Sequence, residues 1–135
     1  MGFSIDVRVY IEDTDAGGRV YYVNYLKFME RARTELLRAL GFDKSAIFSE
    51  DKMFVVHMAC VQYLGAAQLD DVLQVTAKPL KVARSHLLFE QNVWRAEKML
   101  CRGEVRIACV NRSTGRPCAM PDVMHRNLRH GQPAL

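Results

Sequence analysis

The stretch VRVYIEDTDAGGRVYYVNYLKFMERARTELL, residues 7–37, joins two different hydrophobic periods through an acidic loop. Before the loop, apolar and polar residues alternate over residues 3–11, which is the two-residue period of a half-buried strand. After the loop, apolar residues recur every three or four positions, at Tyr25, Phe28, Met29, Ala32, Leu36 and Leu40. The stretch therefore predicts a strand, a loop and one long amphipathic helix.

The two ends of this helix are marked differently. Gly41 is the predicted stop, because glycine takes the left-handed conformation that closes a helix at little cost, and Arg38 lies in the last turn. Asn24 is the predicted N-cap, but Lys27 three residues later means that there is no capping box. The start of the helix should therefore keep spare N–H groups.

Charged residues are predicted to lie on the exposed face of the helix. Glu30 and Arg33 are three residues apart, and Arg31 and Glu35 are four apart. At these spacings the side chains meet on the helix surface, so two stabilising ion pairs are expected there.

Four further runs, rich in Val, Leu, Phe and Tyr, predict strands at residues 53–64, 71–83, 86–96 and 99–112. A polar connection, residues 43–52, precedes them, and short polar breaks separate the last three, as antiparallel hairpins require. Pro79 interrupts one run and should lie at a bulge, a strand break or a sheet edge. Strand, long helix and four strands in a meander predict an α+β fold, with a five-stranded antiparallel sheet covered on one face by the helix.

The length of 135 residues suits one domain, which we predict over residues 1–135, with about residues 129–135 as a flexible tail. No run approaches the roughly 20 apolar residues that span a bilayer, and the N-terminal segment has no signal-peptide pattern. A cytoplasmic location without membrane insertion is expected. Because the sheet would be half covered and have open edges, self-association is also expected.

Charge and cysteine content restrict the partners. The net charge is +4, with 13 Arg and 6 Lys, but the cations are scattered and no groove-reading or base-stacking motif accompanies them, so no nucleic-acid partner is predicted. The four cysteines form no C-x-x-C pair and have no His at metal-ligand spacing. Free thiols and no metal site are expected.

The acidic loop, residues 12–18, carries three carboxylates in four positions before two glycines, more charge than a turn or a helix cap requires. An EF-hand is a poor match, because its fifth and twelfth positions would be Gly17 and Asn24. A D-x-D motif of the kind that binds metal for a nucleotide sugar is weak in so small a chain. A solvated turn braced by one Asp remains open.

Carboxylate catalysis is the functional alternative for this loop. If the helix begins just beyond it, free N–H groups and the positive dipole end can polarise a carbonyl group while Asp15 attacks the carbonyl carbon or activates water. The glycines would let the backbone and a substrate approach closely.

Residues 7–37 closely resemble the N-terminal signature of the hot-dog-fold acyl-CoA thioesterases of the 4-hydroxybenzoyl-CoA thioesterase type, in particular their Tol-Pal-associated branch. The similarity continues through YLGAAQLDD, GEV and TGRPCAMP, at residues 63–71, 103–105 and 114–121. The resemblance implies a five-stranded antiparallel sheet wrapped around one long central helix. It also implies cofactor-free hydrolysis of an acyl-CoA substrate by a homodimer or homotetramer, with active sites at the subunit interface.

The same resemblance assigns the catalytic carboxylate to Asp15 and places the amide that points at the thioester carbonyl near Tyr22. Asp13 is expected to brace the loop. Gly17, Val23 and Tyr25 are predicted to bind the substrate, and an acyl pocket is predicted to be lined by some of Tyr25, Phe28 and Met29.

Lys81, Arg84 and Ser85 form a basic and polar cluster at the predicted hairpin turn before His86. In this family such a turn often meets the nucleotide phosphates of coenzyme A, for which Arg and Ser are suitable donors. A solvated hairpin turn explains the cluster equally well. His57 is a further candidate for substrate contact, although a lone His in a strand is more often a packed or surface residue.

Two departures leave the acyl group open. Tyr22 stands where the Tol-Pal-associated members usually have His and the 4-hydroxybenzoyl-CoA enzymes have Tyr, and GAAQLDD lacks the Pro and Arg of PARLDD. Two other functions also stay open. One is a non-catalytic acyl-binding or scaffolding protein of the cell-envelope machinery. The other is a hot-dog dehydratase or hydratase, for which only His57 and His86 would serve.

Overall fold

The computed structural model describes residues 2–42 and 51–130. Its first strand, β1, spans Ser4–Arg8, and the long helix, α1, spans Val23–Ala39. The elements that follow are β2 (Lys52–Tyr63), β3 (Val72–Thr76), β4 (Lys78–Val82), β5 (His86–Arg95), β6 (Lys98–Asn111) and helix α2 (Asp122–His130). Most of the predicted polar connection, residues 43–50, lies outside the described residues.

The strands form one antiparallel sheet in the order β1–β3–β5–β6–β2, with β4 paired to β5. Helix α1 buries one face against this sheet, as predicted for an α+β fold. The structure has six strands rather than five because Ala77 divides the second predicted run into β3 and β4. Pro79 is followed by a register shift in the β4–β5 pairing, which confirms the irregularity expected of a proline in a strand.

The predicted meander of four strands is wrong for β2. This strand pairs with β6 at the edge of the sheet, whereas only the later strands follow one another as neighbouring hairpins. The later strands are joined by short turns, which favour pairing between neighbours in sequence. The connection between β2 and β3 is longer, eight residues at 64–71, and takes the chain to the other side of the sheet. The long strand β2 is consequently left with one unpaired edge.

Helix α1 ends as its sequence predicts. Gly41 has a φ of 97°, and its N–H donates to the carbonyl of Arg38 at 3.0 Å. The N–H of Phe42 donates to the carbonyl of Leu37 at 2.9 Å. These two bonds form a Schellman motif, which satisfies carbonyls that the helix end leaves open.

The first strand is shorter than its alternating pattern suggests. Val7 and Val9 are buried as predicted, but Ile11 is 76% exposed. The chain leaves the strand after Arg8 and turns through a single 3-10 turn at Ile11–Asp13, so the alternation no longer refers to the two faces of a sheet.

Helix α2 was not predicted. It includes Arg129 and His130, which the sequence placed in the flexible tail, and it buries Met124 and Leu128 in the core. Its nine residues give a short amphipathic pattern that the preceding Pro and Gly residues obscured. In the described part of the chain, neither helix is sufficiently long and apolar to cross a membrane.

Gly103 lies on β6 where a side chain of α1 packs directly against the sheet. A Cβ atom at this position would lie 3.1 Å from the Cε of Met29 and 3.1 Å from the carbonyl oxygen of Gln91. Both neighbours belong to the packed core, where added atoms force side chains and backbone to shift. Glycine is therefore required here by space rather than by backbone conformation.

We expect Gly103→Ala to lower the free energy of unfolding by about 1–3 kcal/mol, the usual cost of overpacking a core. Denaturant unfolding would measure the change. Gly2→Ala is the matched control, because no atom lies within 4 Å of a Cβ built there. Equal stability of the two variants would show that the helix is free to move away from β6.

Candidate active site

The acidic loop folds into a tight hairpin before helix α1. Thr14 pairs with Val20 as an isolated antiparallel bridge, and the N–H of Asp15 donates to the carbonyl of Arg19 at 2.8 Å. Gly18 has a φ of 78°, a left-handed conformation that favours glycine. The two ends of the loop are thereby held together, and Asp15 lies near its tip.

Asp15 is exposed, and its two carboxylate oxygens have different surroundings. Oδ1 accepts hydrogen bonds from the N–H of Gly17 at 2.9 Å and of Arg19 at 3.3 Å. Oδ2 accepts no hydrogen bond from any residue that the structure describes. The backbone thus fixes the orientation of the carboxylate through one oxygen and leaves the other available for chemistry.

Gly17 leaves room for the carboxylate of Asp15. A Cβ atom on residue 17 would lie 3.3 Å from Oδ1 of Asp15, tighter than most contacts of that kind. The contact of Gly17 with substrate stays a prediction. Its closeness to Asp15 is a separate reason for a residue without a side chain at this position.

Asp13 connects the loop to its surroundings on both sides. Its Oδ2 accepts a hydrogen bond from the N–H of Tyr10 at 2.9 Å, and its backbone carbonyl accepts bonds from the N–H of Tyr21 and from Nδ2 of Asn24. Through these contacts Asp13 can brace the loop, as expected. The predicted N-cap role of Asn24 is wrong. Tyr22 occupies the N-cap position, without a side-chain capping bond, and the side-chain amide of Asn24 bonds to the loop instead.

The entrance of α1 has free amides. The N–H groups of Tyr22 and Val23 donate to no acceptor within the described ranges, and Tyr22 makes no side-chain cap. Such N–H groups, at the positive end of the helix dipole, form a natural site for a carbonyl oxygen that gains negative charge. This confirms the spare N–H groups that the missing capping box predicted.

An aromatic cluster surrounds this entrance. Tyr22 is 57% exposed. The centre of its ring lies 5.1 Å from that of Tyr21 and 5.8 Å from that of Tyr63, which it meets edge-on. The hydroxyl of Tyr63 donates to the carbonyl of Tyr22 at 3.3 Å. Sequence reasoning missed Tyr63, because nothing in the pattern of β2 shows that its last residue reaches the helix start.

Tyr25 is buried, unlike Tyr22. Its hydroxyl accepts a hydrogen bond from the N–H of Ala67 at 2.9 Å, and burial raises the pKa of that hydroxyl against the lowering effect of this bond. In the isolated chain Tyr25 therefore supports the loop after β2 rather than lining an open surface.

The YLGAAQLDD segment holds the loop after β2 in place. Oδ2 of Asp71 accepts hydrogen bonds from the N–H of Gln68 at 2.9 Å and from Nη1 of Arg95 at 3.0 Å. Burial raises the pKa of the Asp71 carboxyl, but these two bonds outweigh it, and the pKa lies below its ordinary value. Gln68 also pairs with Arg19 of the acidic loop, so the segment supports Asp15 from the other side.

Cys101 lies opposite Tyr63 in the β2–β6 pairing, close to the helix entrance. Burial raises the pKa of its thiol to about 12, which keeps it protonated and poorly nucleophilic. Among the residues described, no group of three His, Cys, Asp or Glu side chains is arranged to hold a metal ion. The chemical groups that the acidic loop and the helix entrance offer are therefore the Asp15 carboxylate, the free backbone amides and the tyrosine hydroxyls.

A groove runs from the helix entrance along α1. Its first part has a volume of about 210 Å³, and Val23, Leu26 and Lys27 line its helix side while Val56 and Ala59 of β2 line the opposite side. A second hollow of about 130 Å³ adjoins it through shared walls and continues to Leu37. The structure thus places Val23, one of the predicted substrate contacts, at the mouth of an apolar groove.

The other predicted binding residues lie elsewhere. His57 is exposed at a bulge in the middle of β2, where the pairing with β6 shifts register. Lys81 is exposed on β4, and Ser85 lies in the turn before β5. Nη1 of Arg84 lies 3.5 Å from Oδ1 of Asp122, and both side chains are largely exposed.

The single chain does not bring the Lys81, Arg84 and Ser85 cluster near Asp15. The cluster lies at the first end of β5, whereas the acidic loop pairs with Gln68 near the last residues of that strand. Ten residues of strand separate the two regions, about 30 Å at roughly 3.3 Å per residue.

One charged residue of α1 departs from its predicted place. Arg33 was expected to pair with Glu30 on the exposed face, but it is buried and Nη1 bonds to Oε1 of Gln91 at 2.9 Å. Glu35 pairs with Arg38 rather than with Arg31, whose guanidinium lies 5.6 Å from the ring centre of Phe28. Helical spacing alone does not show which cation turns toward the sheet.

One long helix packed on an antiparallel sheet is the architecture of the hot-dog fold. Comparison with known proteins gives the family. Residues 17–102 match the model of the thioesterase superfamily. The chain belongs to this superfamily, and it is a thioester hydrolase.

Several relatives and structures are similar to it. An acyl-CoA thioesterase YbgC of Haemophilus influenzae is 44% identical over 130 residues, 96% of both chains. An acyl-CoA thioester hydrolase YbgC of Escherichia coli O157:H7 is 42% identical over 88% of this chain and 90% of its own. The crystal structure of a probable thioesterase from Bartonella henselae has a TM-score of 0.78 and 34% identity, and covers 87% of this chain and 96% of that one.

A 1,4-dihydroxy-2-naphthoyl-CoA thioesterase from Synechocystis has the same fold, with a TM-score of 0.87 at 20% identity, over 95% of this chain and 96% of its own. The hot-dog fold and the class of enzyme that the N-terminal signature implied are therefore confirmed.

Proposed function

We propose that this enzyme hydrolyses acyl-CoA thioesters to a free acid and coenzyme A at the entrance of α1. The observation that carries this proposal is the unbonded Oδ2 of Asp15 on the loop that leads into α1, together with the unbonded amides of Tyr22 and Val23 at the start of that helix. The relatives named for acyl-CoA substrates support the choice of thioester. No cofactor is needed for such a hydrolysis.

The chemistry follows from these groups. The thioester carbonyl oxygen accepts hydrogen bonds from the helix-entrance amides, which stabilise the negative charge that develops as the carbonyl carbon is attacked. Oδ2 of Asp15 either attacks that carbon, giving a mixed anhydride that water then cleaves, or takes a proton from a water molecule that attacks. In both routes the carbon–sulfur bond breaks and coenzyme A leaves as its thiolate.

An assay of thiol release from a panel of acyl-CoA esters tests this function. We expect turnover of at least one ester without added metal or cofactor. Binding of the esters without turnover would favour the acyl-binding or scaffolding alternative. The hydratase alternative finds less support, because His86 lies at the far end of β5 from Asp15 and His57 lies on the edge of β2.

We also propose that two copies pair through β2. This strand is 12 residues long, lies at a sheet edge and exposes apolar side chains such as Val56 at 55% and Met58 at 37%. Long, apolar, unpaired edges are normally covered in native proteins. Antiparallel pairing of β2 with its symmetry mate would cover both edges at once.

Such a dimer would complete the site. The Tyr63 end of β2 contacts the helix entrance, whereas Val55, near the other end, lies across β6 from His86, next to the Arg84 turn. A two-fold axis near the middle of β2 would bring the partner subunit's Arg84 turn to the side where Asp15 lies. The phosphates of a coenzyme A bound at one helix entrance would then meet the other subunit. Exposed Tyr10 and Ile11 leave a further apolar surface on which dimers can form a homotetramer.

Arg84→Ala is expected to raise the Michaelis constant for acyl-CoA esters about tenfold and to leave turnover at saturation near its original value. A phosphate contact remote from the reacting carbon binds substrate and transition state equally, so its loss appears in the Michaelis constant. Steady-state kinetics would measure both constants.

The matched control is Arg116→Ala, another exposed Arg on a turn. An unchanged Michaelis constant for Arg84→Ala would remove the Arg84 turn from the coenzyme A site.

We place the enzyme in the cytoplasm. Its four cysteines are all free thiols, including Cys109 and Cys118, whose sulfur atoms lie 3.7 Å apart without a disulfide. Disulfides are rare in cytosolic proteins, so free thiols are compatible with that compartment.

A further inference from the structure

Arg33 is the one charged residue that is buried in the described ranges, with 8% of its surface exposed. It lies on α1, ten residues after Val23, and faces the groove that begins at the helix entrance. Arginine is rarely buried unless an anion or several acceptors surround its guanidinium. The surroundings of Arg33 therefore need an explanation.

Gln91 is the hydrogen-bond partner of Arg33, and its orientation is fixed. Gln91 is fully buried, and its Nε2 donates to the carbonyls of Met29 at 2.8 Å and Thr76 at 3.1 Å. Both amide hydrogens are thus used on backbone acceptors, so Oε1 must point toward Arg33. Oε1 accepts the bond from Nη1 of Arg33 at 2.9 Å.

The rest of the guanidinium has no protein partner. Arg33 makes no other hydrogen bond and no ion pair within the described ranges; Glu30, one helical turn before it, is exposed and lines the same groove. In the described residues, two side-chain atoms are fully buried without a hydrogen-bond partner: Oδ1 of Asn92 and Nε of Arg106. The unbonded nitrogens of Arg33 are not in this group, so they are accessible from outside the core. They consequently face the groove, which Arg33 lines in both its parts.

Within the described ranges the guanidinium of Arg33 has one neutral acceptor, and Glu30 acts on it through its charge without an ion pair. Burial lowers the pKa of Arg33, partly offset by the charge of Glu30, but arginine stays protonated in proteins. A carboxylate matches the planar fork of a guanidinium with two parallel hydrogen bonds. A ligand that carries a carboxylate into the groove would supply the hydrogen-bond acceptors that the described residues leave missing.

The spacing along α1 gives the size of such a ligand. Ten residues of helix separate Val23 from Arg33, about 15 Å at roughly 1.5 Å per residue. Hydrogen bonds of about 3 Å at each end leave about 9 Å for the acyl chain. With carbon–carbon bonds of about 1.5 Å at tetrahedral angles, this corresponds to about eight carbons.

We propose that Arg33 binds a carboxylate at the far end of the acyl group, so that the enzyme prefers thioesters of medium-length dicarboxylic acids. The proposal rests on the function given above, because it takes the thioester carbonyl to lie at the helix entrance. Arg33 acts on specificity and takes no part in the bond-breaking step.

The test compares octanoyl-CoA with the monothioester of octanedioic acid and coenzyme A. These substrates differ only in the terminal carboxylate. For the unaltered enzyme we expect kcat/KM to favour the dicarboxylic ester by about tenfold or more. Arg33→Gln should abolish this preference, because its amide can still donate to Gln91 but offers no charge and no fork. Arg33→Lys should retain part of it.

A merely structural role for Arg33 would lower kcat/KM for both substrates in proportion and leave their ratio unchanged, and that result would overturn the proposal. So would a preference of the unaltered enzyme for octanoyl-CoA. Melting temperatures of the variants show whether the fold is retained, and Arg31→Gln, an exposed Arg of the same helix, is the matched control.

Direct binding separates this proposal from the proposed function. Calorimetric titration with octanedioate and with octanoate requires no turnover. If no thioester is hydrolysed but octanedioate binds more tightly than octanoate in a manner that Arg33→Gln removes, the site at Arg33 stands and the proposed function fails. If Arg33→Gln binds octanedioate as tightly as the unaltered enzyme does, the site at Arg33 is refuted whatever the esters do.

Discussion

Asp15→Asn is expected to lower the turnover of a good acyl-CoA substrate by roughly 100-fold or more, the usual scale for loss of a positioned base or nucleophile. The Asn side-chain oxygen can still accept the N–H groups of Gly17 and Arg19, so the loop should keep its geometry. An amide, however, neither attacks a thioester carbon nor takes a proton from water at neutral pH. Turnover at saturation and melting temperature together measure this separation.

Asp13→Asn is the matched control, because it makes the same chemical change two residues away. Oδ2 of Asp13 accepts the N–H of Tyr10 and closes the 3-10 turn. Neutralising this carboxylate weakens that bond, so the main effect of Asp13→Asn should be a lower melting temperature rather than a loss of turnover. Near-normal turnover of Asp15→Asn would mean that the carboxylates form only a solvated turn.

Met58→Lys is expected to give a folded monomer whose turnover falls by about 100-fold. Met58 lies in the middle of the edge strand β2, where the proposed two-fold axis places the two copies of the residue close together. Like charges directly opposite one another destabilise an antiparallel pair, and Lys on an edge strand blocks pairing. Without its partner the helix entrance loses the contacts that position coenzyme A, and misplacement of a substrate by about 1 Å can cost about 100-fold.

A charge-reversed variant tests whether the loss comes from assembly. Met58→Glu should also be monomeric and weakly active, for the same reason. Mixing the two variants places opposite charges across the axis and should restore both the dimer, by analytical ultracentrifugation, and the turnover. A monomer with full activity, or a dimer that forms despite either substitution, would exclude β2 as the shared edge.

The N-terminal half of the fold could be predicted because its signals are local. The alternation before the loop, the three- and four-residue period after it and Gly41 at its end each reflect short-range geometry, and the structure has a strand, a helix and a Schellman motif there. The place of β2 could not be predicted in this way. Strand order depends on which strands pair across the whole chain, and the residues of β2 suit either neighbour.

The site shows the same division. Spare N–H groups at the helix start followed from the missing capping box, whereas the catalytic role of Asp15, suggested by the excess of charge and assigned by the family resemblance, stays a prediction. Tyr63 and Gln91 could not be found, because each acts on a residue more than 40 positions away in the sequence. Arg33 was misplaced because spacing on a helix fixes neighbours on its surface but not which side chains the sheet covers.

The central claim is that the thioester carbonyl lies between the helix-entrance amides and the free oxygen of Asp15. It is tested most directly by a crystal structure with an acyl-CoA analogue in which a methylene group replaces the thioester sulfur, so that the carbonyl is kept but cannot be hydrolysed. We expect the carbonyl oxygen about 3 Å from the backbone nitrogen of Tyr22 or Val23, with Oδ2 of Asp15 facing the carbonyl carbon. An analogue bound with its carbonyl away from the entrance of α1, and with Asp15 open to solvent, would contradict the claim.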